Sequence, residues 1–175
     1  MNIRPYDTDK SIATYYVVPV RRKMGPVESP LEHAQLCEYY RYTEKETWHA
    51  VDPKQIVANK HSNYVCLVQL TDITGGPKPK EDMDFERGVK LYAAVAATLT
   101  GDDSGPITDL VLANFSEWQN FPHGRESILR PTLMIPVTPD STRGIVLIFT
   151  VTGETGKASP GLRSTFDPEI RGSTN

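Results

Sequence analysis

Ser11 to Val20 (SIATYYVVPV) is a run of β-branched and aromatic side chains, the composition that suits a pleated, half-buried surface. Residues 1–10 before it are polar and are expected to be flexible. After a loop at Met24 to Pro30, the pattern changes. Ser29 can cap a helix, Pro30 suits its first position, and Glu32 sits where a capping box wants a carboxylate. One α-helix is predicted there, over about residues 30–42. Beyond it the chain reads as strands: Thr47 to Val51, Asn63 to Thr71, Val89 to Thr100 and Ile107 to Phe115. The polar stretch Thr74 to Gly88 contains a Gly pair and two prolines, which argue against regular structure.

Two strongly apolar runs, Ser127 to Val137 and Gly144 to Thr152, flank the polar segment Thr138 to Arg143. That arrangement predicts a β-hairpin. The second run is continuously apolar from Ile145 to Phe149, so it is expected to be central and covered on both faces. The first holds Pro131 and Pro136, which place it at a sheet edge or at a bulge. Residues 153–175 change character: Gly, Pro, Ser and Thr fill 12 of the 23 positions. Such a segment is expected to remain a flexible C-terminal tail, because it buries too little apolar area to offset its ordering entropy. The fold class that follows is mainly β: a single antiparallel β-sandwich or barrel domain over residues 11–152, with about 7–8 strands and one helix.

Composition narrows the function. The chain has 175 residues, a net charge of −3 and 23% charged residues, as an ordinary globular domain does. A net basic field, the usual mark of nucleic-acid binding, is missing. The local exception is Arg21-Arg22-Lys23, a candidate contact for an anionic surface, where each cation contributes about 1 kcal/mol near an anionic membrane. There are two cysteines, Cys37 and Cys66, no apolar segment of signal-peptide character and no apolar run of about 18 residues. A cytoplasmic protein made in a reducing compartment is expected, or a virion component if the source is viral.

Several motifs bear on the chemistry the chain could carry. Gly153-Glu154-Thr155-Gly156-Lys157 has too few residues between its glycines for a phosphate loop, and Ala158 follows the lysine. Asp103-Ser104-Gly105 resembles the nucleophile segment of chymotrypsin-like proteases, but only from Gly101 to Pro106 and with one Asp too many. Its base would be His49 or His61. His33 and Cys37 share a face of the predicted helix, and with His61 and Cys66 they could make a tetrahedral zinc site. Tyr15, Tyr16, Tyr39, Tyr40 and Tyr42 lie near the basic triplet in sequence, as stacking platforms for single-stranded RNA do. Trp118 and Phe121 stand in a predicted loop, where large rings either plug a core or anchor a partner. Leu162, Phe166 and Ile170 recur every four residues in the tail and suit a docking arm.

The reading that follows is a non-enzymatic structural protein that self-associates, similar in architecture to viral matrix or coat proteins, with no cofactor or metal. Its partners would be further copies of itself and, through Arg21, Arg22 and Lys23, an anionic membrane surface. Its docking residues would be Leu162, Phe166, Ile170, Trp118 and Phe121. The alternatives are a small hydrolase, using Ser104 or the zinc set, and a single-stranded RNA-binding protein.

Overall fold

The computed structural model describes residues 12–23, 34–43, 45–60, 64–100, 131–137, 139–151, 161–165 and 168–172. In chain order its strands are β1 (Ala13–Arg22), β2 (Leu36–Tyr42), β3 (Trp48–Val51), β4 (Ile56–Val57), β5 (Tyr64–Gln69) and β6 (Met83–Phe85). They continue with β7 (Val89–Thr100), β8 (Thr132–Pro136), β9 (Thr142–Val151), β10 (Gly161–Ser164) and β11 (Glu169–Arg171). A single 3₁₀ turn at Pro53–Gln55 is capped by the Asp52 side chain, which accepts from Lys54 N at 2.8 Å. The strands form two sheets that do not close into a barrel. The first runs β3-β2-β1-β5-β8, with β6 extending the β5 side of β1. In the second, β9 pairs with β7 on one flank and with β10 and β11 on the other, and β4 lies beyond β11.

The two sheets share one core. Val17, Leu67, Leu133 and Ile135 from the first sheet pack with Leu91, Ile145, Leu147, Phe149 and Ile170 from the second, all fully buried. The opposite face of the first sheet carries its own cluster, in which Tyr16, Val18, Tyr40, Cys66 and Val68 pack with Trp48, Ile73, Met83 and Phe85. Two-sided burial explains why β1 reads as an almost unbroken apolar run. A separate feature lets this central strand tolerate Pro19. The carbonyls of Val17 and Pro19 accept from Leu70 N and Glu86 N on the β5/β6 side. The absent N–H of Pro19 therefore points into the gap between β5 and β6, where no acceptor needs it.

Side chains complete the ladders where strands stop. Gln69, 1% exposed, reaches from the first sheet into the second. Its Nε2 donates to Val89 O at 2.7 Å and its Oε1 accepts from Leu91 N at 2.6 Å. Thr165 does the same between β10 and β11: its backbone N donates to Leu147 O, and its Oγ1 accepts from Leu147 N, both at 2.9 Å. Tyr15 stitches β1 to β4, donating to Val57 O at 2.9 Å and accepting from Val57 N at 3.0 Å. Each device satisfies backbone groups that burial would otherwise leave unpaired.

The structure departs from the sequence reading at six places. The described part of the predicted helix is β2, because residues 36 to 42 alternate between the two buried faces of the first sheet while pairing with β1 and β3. Aromatic Tyr39, Tyr40 and Tyr42 favour that pleated setting over a helix. The sheets are mixed rather than antiparallel, since β1 runs parallel to β5 and β11 parallel to β4. The expected hairpin is not one: β8 pairs with β5 at the edge of the first sheet, and β9 belongs to the second. Strand β9 is central, but its residues alternate between the core and the outside rather than being covered on both faces. Beyond residue 152, β10 and β11 add to β9, and Thr165 bridges the break between them, so these positions are not a flexible tail. The polar stretch Thr74 to Gly88 likewise contributes β6. The predicted strand at 107–115 lies outside the described residues, as do residues 1–10.

Candidate functional site

Strand β9 turns Ile145, Leu147 and Phe149 inward, so Val146 and Ile148 point away from the core. Register places Val95 of β7 beside Val146, and Ala93 beside Ile148. At one end of this outer face, Lys90 and Leu162 flank Thr150 on opposite sides. At the other end, Glu169 lies beside Gly144 and Arg171 beside Thr142. Tyr92 stands at the bulge between Leu91 and Ala93. Leu162 is 65% exposed, Tyr92 55% and Val146 37%. Three large apolar side chains on one sheet face are therefore open to solvent. Arg171 Nη2 lies 3.9 Å from Glu169 Oε2, and Lys90 has no ion pair among the described residues.

The other predicted docking residues divide. Ile170 is fully buried in the shared core, because β11 pairs with β9 and β4, so it is not available to an external partner. Phe166, Trp118 and Phe121 lie outside the described residues. Arg21, Arg22 and Lys23 are exposed at the end of β1. They are not an isolated cationic run: β6 lays Asp84 opposite Arg21, and Lys23 Nζ is 4.0 Å from Asp84 Oδ1. This corner carries both signs of charge.

The chemical alternatives meet specific geometry. Cys37 packs against the shared core and Cys66 belongs to the cluster on the other face of the first sheet, so the two thiols cannot join one zinc site. His33 and His61 lie outside the described residues. Burial, reinforced by Glu86, pushes the Cys37 thiol well up, and burial raises Cys66 to about 11 against a hydrogen bond with Thr14 that lowers it. Neither thiol is a ready nucleophile at neutral pH. His49 is exposed on β3, with Nε2 3.0 Å from Thr47 Oγ1, and Ser104 lies outside the described residues. Tyr15, Tyr16, Tyr39 and Tyr40 are all less than 5% exposed, so they cannot serve as a stacking platform. They are core because the first sheet is covered on both faces.

Two polar features escaped the sequence reading. A clasp joins the start of β2 to β10. Arg163 Nη1 donates to Glu86 Oε1 at 2.7 Å, Gln35 Nε2 donates to Glu86 Oε2 at 2.9 Å, and Gln35 N donates to Ser164 O at 2.9 Å. Beside it, Gln69, Asp72, Phe85, Arg87, Lys90 and Pro131 help line a cleft of about 670 Å³. Asp72 accepts from Thr74 N and Oγ1, which hold its carboxyl below the usual range, and Glu86 is engaged by the clasp. No spacing rule could have found either feature, since the members of each are drawn from three widely separated segments. Comparison of the chain with protein families, with curated proteins and with solved structures returns no match.

Proposed function

We propose that this chain is a non-enzymatic, β-sandwich-like structural protein that self-associates, and that the outer face of the second sheet is its docking surface. The observation that carries the reading is the exposure of Leu162, Tyr92 and Val146 on that one face. Exposed large apolar side chains gathered on one sheet face favour an interaction site, and aromatic residues such as Tyr92 are typical interface anchors. The remainder of the molecule supports the same view. Its buried polar side chains Gln69 and Thr165 bond to backbone, and Glu86 bonds to Gln35 and Arg163, as structural ties do.

Sedimentation equilibrium across a wide concentration range tests the proposal. Wild type is expected to show reversible, concentration-dependent mass above the monomer. Leu162→Asp, which places a charge on an exposed position outside the core, is expected to weaken association at least about tenfold with an unchanged circular dichroism spectrum. A strict monomer at every concentration would overturn the proposal, as would association indifferent to Leu162→Asp together with Val146→Asn.

A further inference from the structure

The cleft beside the clasp is lined from both sheets, with Gln69 of β5 and Lys90 of β7 among its walls. Most of its polar lining is held in place by the chain itself. Both functions of the Gln69 amide are taken up by Val89 O and Leu91 N. On one lip, Asp72 Oδ1 accepts from Thr74 N and Oγ1, and Gly76 N donates to Ile73 O at 2.8 Å. On the other lip, Glu86 Oε1 accepts from Arg163 and Oε2 from Gln35, and Glu86 N donates to Pro19 O at 2.9 Å. Arg87 and Lys90 differ from these. Both are exposed, and neither makes an ion pair among the described residues. Phe85 and Pro131 add apolar surface to the same cleft.

We propose that this cleft binds a small organic monoanion, a carboxylate carried on an apolar body about the size of one ring. A volume of about 670 Å³ falls inside the range of roughly 300–1,000 Å³ usual for small-molecule sites, which are largely pre-formed, as this one is. Charge selects the ligand class. Arg163, 2.7 Å from Glu86, cancels that carboxylate, and Asp72, in whose field Arg87 lies, balances one of the two remaining cations. One positive charge is left in surplus, which a monoanion neutralises and a dianion overshoots. The Arg87 guanidinium carries paired N–H donors that match the two oxygens of a carboxylate in one plane, and Lys90 adds a second charge on a flexible stem. Phe85 and Pro131 receive the apolar body. The site uses none of Leu162, Tyr92 and Val146, so it stands or falls apart from self-association.

Benzoate is the probe, titrated into the full chain labelled with nitrogen-15 and followed by NMR. The amides of Thr71, Arg87 and Gly88 and the Arg87 Nε–H are expected to shift along one saturable isotherm with a Kd of about 1 mM. Benzamide, which has the same shape without the charge, is expected to bind at least about tenfold more weakly. Phenyl phosphate, largely dianionic at neutral pH, is expected to bind no more tightly than benzoate. Arg87→Gln is expected to weaken benzoate about tenfold and Lys90→Gln about threefold. Lys54→Gln, on the 3₁₀ turn and outside the cleft, is expected to leave the affinity unchanged. Arg87, Lys90 and Lys54 are all exposed, and circular dichroism confirms that each variant is folded. Shifts that stay linear up to about 50 mM benzoate would overturn the site. Benzamide as tight as benzoate, or Arg87→Gln as tight as wild type, would overturn the role of charge, and phenyl phosphate about tenfold tighter than benzoate would overturn the monoanion.

Discussion

Replacing Gln69 by Leu probes how the two sheets are held together. The side chain is 1% exposed and bonds to two backbone groups of β7, Val89 O and Leu91 N. The orientation of its amide is fixed by those partners, because a carbonyl must accept and an N–H must donate. Leu has nearly the volume of Gln but neither function. Val89 is 7% exposed and Leu91 is fully buried, so water does not readily replace the lost bonds. Each unsatisfied buried backbone group costs about 1–3 kcal/mol. Set against some apolar gain, the net loss is about 3 kcal/mol. With a urea dependence of about 2 kcal/mol per molar for a domain of this size, the unfolding midpoint falls by about 1.5 M. The Leu91 amide is expected to lose hydrogen-exchange protection ahead of Ile145, which keeps its bond to Pro168 O. Gln69→Glu can still accept from Leu91 N but cannot donate to Val89 O when ionised, so it is expected to be no better than Leu. A Gln69→Leu protein within about 0.5 kcal/mol of wild type would refute the role of Gln69 as an inter-sheet tie.

Thr165→Val removes the oxygen that accepts from Leu147 N and is expected to cost about 1–3 kcal/mol in urea unfolding, while Thr165→Ser retains most of the stability. Cys66 gives a pH prediction. Its thiol ionises near 9 in the unfolded chain and near 11 in the folded one, so above pH 9 the unfolded state releases its proton first and stability falls as pH rises through that window. The slope is expected to diminish in Cys66→Ala, and at neutral pH alkylation of Cys66 by iodoacetamide is expected to follow opening of the fold. Leu162→Asp, described above, tests the proposed docking face.

The strands were legible where local chemistry and tertiary setting agree. The alanines of Val89 to Thr100 would suit a helix, but its Val, Tyr and Thr residues and the turn after it argue for a strand, and it is β7 with the same bounds. Pro136 announced an edge strand, and β8 closes one side of the first sheet. Ser29 and Pro30 supply a local helix-start signal, whereas the strand at residues 36–40 is decided by pairing with residues 16–20 of β1, which no local signal reports. Ile145 to Phe149 looked buried on both faces. In the fold Val146 and Ile148 point away from the core, and hydrophobicity alone does not separate a covered apolar side chain from an outward-facing one. The pairing of β10 and β11 with β9 was hidden because their composition is that of a loop. Their stability comes from Ile170 in the core and from Thr165, two contacts with residues well upstream.

The most direct measurement of the central claim is a dilution series followed by methyl NMR with Val, Leu and Ile labelled. The methyls of Val146, Ile148 and Leu162 are predicted to shift together along one association isotherm, while those of Val18 and Leu133, inside the two clusters of the first sheet, stay fixed. Shifts confined to other residues, or spectra identical at every concentration, would contradict the account.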